Sequence, residues 1–217
     1  MRKNKLRFIA VITLTMLIAV IWFIGCVKQE ITNEHAVGST IVCFGDSITF
    51  GYGAQENESY PVALSGILKC PVINAGVDGD TSKDALARID SDVLSREPFL
   101  VVVEFGGNDF IKKVPVEETL KNMEKIITTI QSRGAMVAVV DISAGILLRQ
   151  YHRPLYILAR RHKAIYVPSA LCGIITNPRL KSDFIHPNGN GYAIIAKRVY
   201  KAILPYLPVS CLRKSVR

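Results

Sequence analysis

Four short blocks of this chain carry residue types that could do chemistry together. They are Gly45-Asp46-Ser47, the stretch Asn74–Ser82 with Gly79, Gly106-Gly107-Asn108-Asp109, and Ser182–Asn188 with Asp183 and His186. A serine hydroxyl becomes a nucleophile when an imidazole takes its proton, and the carbonyl it attacks needs N–H donors for the developing oxyanion. Ser47 follows the apolar run Ile41–Phe44, so a rigid strand would deliver its hydroxyl to the mouth of a cleft. Asp183 precedes His186 by one turn, which lets the carboxylate reach Nδ1 while Nε2 faces the serine. Gly79 permits a positive φ that could aim a backbone N–H at the oxyanion, and Asn108, after paired glycines, could present its side-chain amide to the same place. Each block alone has an ordinary reading as a turn or a cap. Together they describe acyl transfer. Asp46 and Asp109 read as supports for their loops. Of the remaining histidines, His35 lies in the polar linker and His152 and His162 lie in an Arg-rich helical surface with no suitable acid at hand, and all three are expected to be solvated.

For these blocks to meet, the elements between them must put all four at one edge. Strands are expected at Thr40–Phe44, Val72–Asn74, Leu100–Glu104, Met136–Asp141 and Ala164–Val167, each short and β-branched. Helical patterns fall between them at Tyr60–Leu68, Ser82–Leu94, Val116–Ile130 and Arg153–Arg161, with a last one at Asn188–Leu204. This alternation predicts an α/β fold, a three-layer α/β/α sandwich with a central parallel sheet. In such sheets functional groups gather at the carboxyl ends of the strands, where the four blocks fall. The loops Phe110–Val114 and Ser143–Gln150 would then shape the substrate site, with Lys112, Lys113, Ile146, Leu147 and Leu148.

With 217 residues, 49% of them hydrophobic, the chain can build one full core. Residues 1–26 stand apart from it. Arg2, Lys3, Lys5 and Arg7 precede the uncharged apolar run Phe8–Ile24, which ends in Gly25-Cys26. This reads as an export signal with Cys26 as the lipidated first residue of the mature protein, or else as an uncleaved membrane anchor. Residues 27–39 read as a polar linker, 40–207 as the domain and 208–217 as a basic tail. The expected location is the cell envelope, outside the cytoplasm and membrane-tethered. The formal charge of +9 is partly that of the leader, and no Arg/Lys stripe interleaved with aromatics points to nucleic acid. Cys43 reads as a small buried hydrophobe inside the first strand. Two disulfides are possible among Cys43, Cys70, Cys172 and Cys211, with connectivity open. No metal-ligand spacing is present, and neither a metal nor a cofactor is expected.

In order and spacing the four blocks resemble those of the SGNH (GDSL-type) hydrolases, over essentially all of Thr40–Leu204. The first block reads Gly-Asp-Ser-Ile-Thr where that family usually has Gly-Asp-Ser-Leu-Ser. Asn-Ala-Gly-Val-Asp-Gly-Asp-Thr-Ser and Val-Glu-Phe-Gly-Gly-Asn-Asp are most similar to the arylesterase and thioesterase I/lysophospholipase branch. The resemblance implies a flavodoxin-like fold and a serine esterase acting on carboxylic esters or thioesters. It makes Ser47 the nucleophile, His186 the base and Asp183 its partner, with the Ser47 and Gly79 N–H groups and the Asn108 amide as the oxyanion hole. The alternatives are a carbohydrate O-deacetylase of the same superfamily and, more remotely, a non-catalytic envelope binding module.

Overall fold

The computed structural model describes residues 29–146 and 148–212. The leader with Cys26, Leu147 and the basic end Arg213–Arg217 lie outside the described residues, as do the expectations that fall on them.

In chain order the elements are β1 (Ile41–Gly45), α1 (Ser47–Phe50), α2 (Tyr60–Ile67), β2 (Val72–Gly76) and α3 (Ser82–Asp92). There follow β3 (Leu100–Glu104), α4 (Gly107–Ile111), α5 (Val116–Ser132), β4 (Met136–Val140), α6 (Arg149–Arg161), β5 (Ile165–Val167) and α7 (Gly189–Ile203). The five strands form one parallel sheet in the order β2-β1-β3-β4-β5. β1, β3 and β4 are buried along their whole length, as unbroken apolar runs in a parallel sheet must be when helices cover both faces. Ile41, Cys43, Leu100, Val102 and Ala138 point to the side covered by α2 and α7. Val42, Phe44, Val101, Val103 and Val137 point to the side covered by α3, α5 and α6. Strand alternation thus sorts two cores, and the three-layer arrangement follows from it.

Local chemistry sets the helix ends. Thr81 and Asp84 form a reciprocal capping box at the start of α3, and Asn188 caps α7 by accepting from the Gly191 N–H. α6 begins at Arg149, four residues ahead of the expected start, and carries Pro154 inside it. The earlier start brings Tyr151 into the core with Leu155 and Leu158, burial that offsets the hydrogen bond a proline cannot donate.

Three expectations change. The stretch read as a linker is fastened from Ile31 onward: Ile31 is buried, and Asn33 Nδ2 donates to the carbonyls of Gln131 and Ala135. Pro208–Leu212 is likewise packed rather than trailing, with Cys211 buried in a disulfide to Cys70. Cys43 and Cys172 are free, so one bridge forms where two were possible; Cys43 is the buried small residue expected of it. The third concerns His152 and His162, which have acidic partners after all. His152 Nδ1 lies 2.7 Å from Asp141 Oδ2, and His162 Nε2 lies 2.8 Å from Glu124 Oε1. Both acids come from other elements, β4's end and α5, which reading sequence neighbours does not reach.

Candidate active site

α1 starts at the residue after Asp46, directly at the end of β1. The Asp46 side chain caps it by accepting from the Ile48 N–H at 3.0 Å, which makes Ser47 the first helical residue. Two glycines let this short helix lie across the strand ends. A Cβ at Gly45 would collide with Thr49, and one at Gly76 with the Phe50 backbone.

The loop after β5 delivers the imidazole. His186 Nε2 lies 3.1 Å from Ser47 Oγ, and Nδ1 lies 2.7 Å from Asp183 Oδ2. The other Asp183 oxygen accepts from the backbone N–H groups of Ile185 and His186, at 2.9 and 2.8 Å. Burial opposes the Asp183 charge, but the His186 hydrogen bond and these two donors hold its carboxyl below the usual range. Tyr52 lies against the imidazole, ring centroids 4.5 Å apart, and the Tyr52 carbonyl is in turn held by the Tyr192 hydroxyl from α7.

Asn108, after β3, borders the cleft with Ser47 and His186, and Gly79 stands on the neighbouring loop after β2. Gly79 has φ +82°, a conformation that disfavours other residues even though a Cβ there would meet no neighbour. Asn108 Nδ2 donates one proton to the Asp80 carbonyl at 3.0 Å, which fixes the plane of the amide and leaves its second proton for a ligand. Lys112 Nζ donates to the Gly79 carbonyl, so α4 grips the glycine loop at two points. Asp109, fully buried, accepts from the Ser82 N–H and the Thr119 hydroxyl and ties α4 to α3 and α5. The structure therefore brings Ser47, Asn108 and His186 to one cleft with Asp183 behind the imidazole, and holds Gly79 in the adjoining loop after β2.

Two features were not singled out in the sequence. Arg88 donates to the carbonyls of Gly45 and Ala75 and pairs with Asp80, while its guanidinium covers the Phe44 ring. It braces the ends of β1 and β2 from behind the site. Its signal was an arginine among the apolar residues Ala85, Leu86, Ala87 and Ile89 of the predicted helix. The second is Glu104, buried beneath Ser47, where it accepts from the Thr49 hydroxyl at 3.0 Å and hydrogen-bonds to Asp46. Burial pushes both carboxyls up, and the proximity of Asp46 adds to the shift of Glu104. One proton shared between them is the arrangement that two carboxyls in a dry site favour.

Beside Ser47 a cleft of about 100 Å³ runs between the strand-end loops. Phe110 and Ile111 line it from α4, Ile142 and Leu148 from the chain after β4, Leu171 and Ile175 from the chain after β5, and Ile185 from beside His186. Of the expected substrate loops, Phe110, Ile111 and Leu148 thus face the cleft, while Ile146 projects into solvent. Among the described residues no group of three or more His, Cys, Asp or Glu side chains could hold a metal ion.

Residues 43–194, most of the chain, match the model of the GDSL-like lipase/acylhydrolase family. The chain belongs to that family. This GDSL-family chain is 27% identical to the esterase TesA of Pseudomonas aeruginosa over 84% of its own length and 96% of TesA. It is 26% identical to the thioesterase 1/protease 1/lysophospholipase L1 of Escherichia coli K12, over 81% of its length and 88% of the relative. A crystal structure of TesA superposes with a TM-score of 0.72 at 26% identity, covering 77% of this chain and 99% of that one. Membership makes the GDSL-family chain an ester hydrolase of the α/β-sandwich type.

Proposed function

We propose that the chain is an envelope-tethered serine esterase whose acyl substrates occupy the apolar cleft. The observation that supports it best is the continuous relay Asp183–His186–Ser47, with both hydrogen bonds formed, opening onto that cleft. His186 Nε2 takes the Ser47 proton as Oγ attacks the ester carbonyl. The Ser47 and Gly79 N–H groups and the Asn108 amide hold the tetrahedral oxyanion, and His186 returns the proton to the leaving alcohol. Water then attacks the acyl-enzyme, giving a proton to His186 and freeing the acid, and Ser47 regains its proton. Asp183 keeps Nδ1 protonated and stabilises the imidazolium.

The lining favours an acyl chain over a sugar. Eight apolar side chains border the cleft, Ile48 among them, so a short to medium acyl ester, a lysophospholipid or an acyl thioester finds apolar surface where a polysaccharide would need polar partners. The names of the two relatives above cover the same substrate range. For location, the reading rests on the basic leader, Gly25-Cys26 and the Cys70–Cys211 bridge, a bond suited to an oxidising compartment. A mature N-terminus beginning at a lipidated Cys26 is the expected mass; an intact Met1 overturns the lipoprotein part.

The test is hydrolysis of p-nitrophenyl acetate, butyrate and decanoate by the chain and by Ser47→Ala. We expect turnover on the longer esters that Ser47→Ala abolishes. Turnover confined to acetate points to a deacetylase, and turnover that survives in Ser47→Ala refutes the serine mechanism.

A further inference from the structure

Five of the exposed large apolar side chains among the described residues, Phe110, Ile111, Ile146, Phe184 and Ile185, stand on the segments after β3, β4 and β5 at the carboxyl edge of the sheet, around the cleft. A water-facing rim of this kind is an unusual use of surface. Phe184 and Ile146 are 89% and 91% exposed, although neither lines the cleft, and Phe110, Ile111 and Ile185 are exposed while also bordering it.

Charge along this edge is sorted by the strand order. The segments after β3, β4 and β5 carry Lys112, Lys113, Arg149, Arg179 and Lys181, against one exposed acid, Asp183, which is paired with His186, since Asp109 and Asp141 are buried. On the β2–β1 side the loops carry Glu56, Glu58 and Asp78. The apolar tips of the loops after β3, β4 and β5 therefore stand among cations. Lys181 Nζ sits 5.6 Å over the Phe184 ring, so one side chain offers an aromatic face and its neighbour an ammonium at the same height.

We infer that this half of the rim is a docking surface for an anionic phospholipid bilayer, which it meets so that the cleft opens onto the lipid. The chemistry matches on two counts. Exposed Phe and Ile side chains gain by entering the boundary between headgroups and acyl chains, and the surrounding Lys and Arg side chains meet anionic headgroups there. The acidic β2–β1 side tilts away, which fixes the orientation. The inference rests on the acyl-ester reading for its purpose, since an amphiphile could pass from the bilayer into the cleft without crossing water. Its geometry stands without that reading.

The leader would hold the chain at a membrane whether or not the rim touches it, so the test must report on the rim itself. Trp22 is the only tryptophan and lies in the leader. The double variant Trp22→Phe/Phe184→Trp places the sole indole on the rim of the full chain. Reconstituted into phosphatidylcholine vesicles containing phosphatidylglycerol, its emission shifts to the blue and is quenched by brominated acyl chains. In pure phosphatidylcholine, or at high salt, quenching is weak. Lys113→Gln and Arg179→Gln each lower the ratio of docked to undocked indole about fivefold. A second arm uses Ile146→Asp/Phe184→Asp, which leaves hydrolysis of soluble p-nitrophenyl butyrate unchanged and lowers turnover of vesicle-borne lysophospholipid about tenfold or more. Absence of quenching in anionic vesicles overturns the inference, and so does quenching that ignores headgroup charge. A blue emission that persists without lipid assigns the face to a second copy of the chain and overturns it too. Loss of soluble-ester turnover in the parent chain would instead defeat the esterase reading, which the indole does not report on.

Discussion

Replacing Glu104 by glutamine tests whether the buried acid beneath Ser47 is neutral. Its Oε2 accepts from the Thr49 hydroxyl, which also contacts Tyr60 OH at 3.1 Å, and its carboxyl bonds to Asp46. No Lys or Arg among the described residues forms an ion pair with either carboxyl, so burial dominates and raises both. A protonated Glu104 can donate to the Asp46 carboxylate while accepting from Thr49, and an amide of the same shape can do both. Glu104→Gln should therefore cost under about 1 kcal/mol at neutral pH and leave kcat/KM within about threefold. Glu104→Ala removes both bonds and leaves a void and an orphaned hydroxyl, for a loss of about 2–4 kcal/mol. The pH dependence separates the two explanations further. A carboxyl raised in the folded state contributes stability that is fully present below its unfolded pKa and is lost as pH rises through its folded value. The wild type should thus weaken relative to Glu104→Gln as pH rises, by up to about 1.4 kcal/mol per pH unit while Glu104 stays protonated in the fold and ionised in the unfolded chain, and the difference should level off once Glu104 ionises in the fold. Denaturant unfolding of the three proteins from about pH 6 to about pH 9.5 reads this directly. If Glu104→Gln is as damaging as Glu104→Ala and runs parallel to wild type across that range, Glu104 is ionised and the shared proton does not exist.

Two further outcomes follow from the geometry. On the proposed mechanism, in which the free amide proton of Asn108 acts on the oxyanion, Asn108→Ala should lower kcat about a hundredfold or more with a small change in KM; steady-state kinetics on a soluble ester checks it. Replacing Cys70 and Cys211 by serine opens a loop spanning a sequence separation of 141 and should cost about 2–5 kcal/mol, measured by denaturant unfolding against the oxidised parent.

The site was legible in the sequence because its parts are local. Gly-Asp-Ser at a strand end, Asp183 one turn before His186 and Asn108 after two glycines each announce their geometry within a few residues. The strands were equally plain, being continuous runs of β-branched residues between turn signals. What the sequence hid is what depends on contacts between distant segments. Glu104 reads as the polar end of a strand, and only the packing of α1 over it makes it a buried acid. His152 and His162 find acids on other elements, and Asn33 finds carbonyls about a hundred residues away. The start of α6 was missed because Pro154 resembles a first-turn proline, whereas burial of Tyr151 extends the helix past it.

Asp183 and His186 are bonded within one short loop, which the Asn188 cap joins to α7. In the proposed mechanism acid and base consequently travel as one piece, and the relay closes at His186–Ser47, across a separation of 139, beside the Tyr52 ring that lies against the imidazole. Any excursion that lifts α7 from the sheet would silence the enzyme without disturbing either half internally, and re-seating would restore it in one step. Catalytic turnover, followed through a gentle denaturant ramp, is in that sense a gauge of how firmly the carboxyl-terminal portion of the chain is seated, and it should fade before the sheet itself melts.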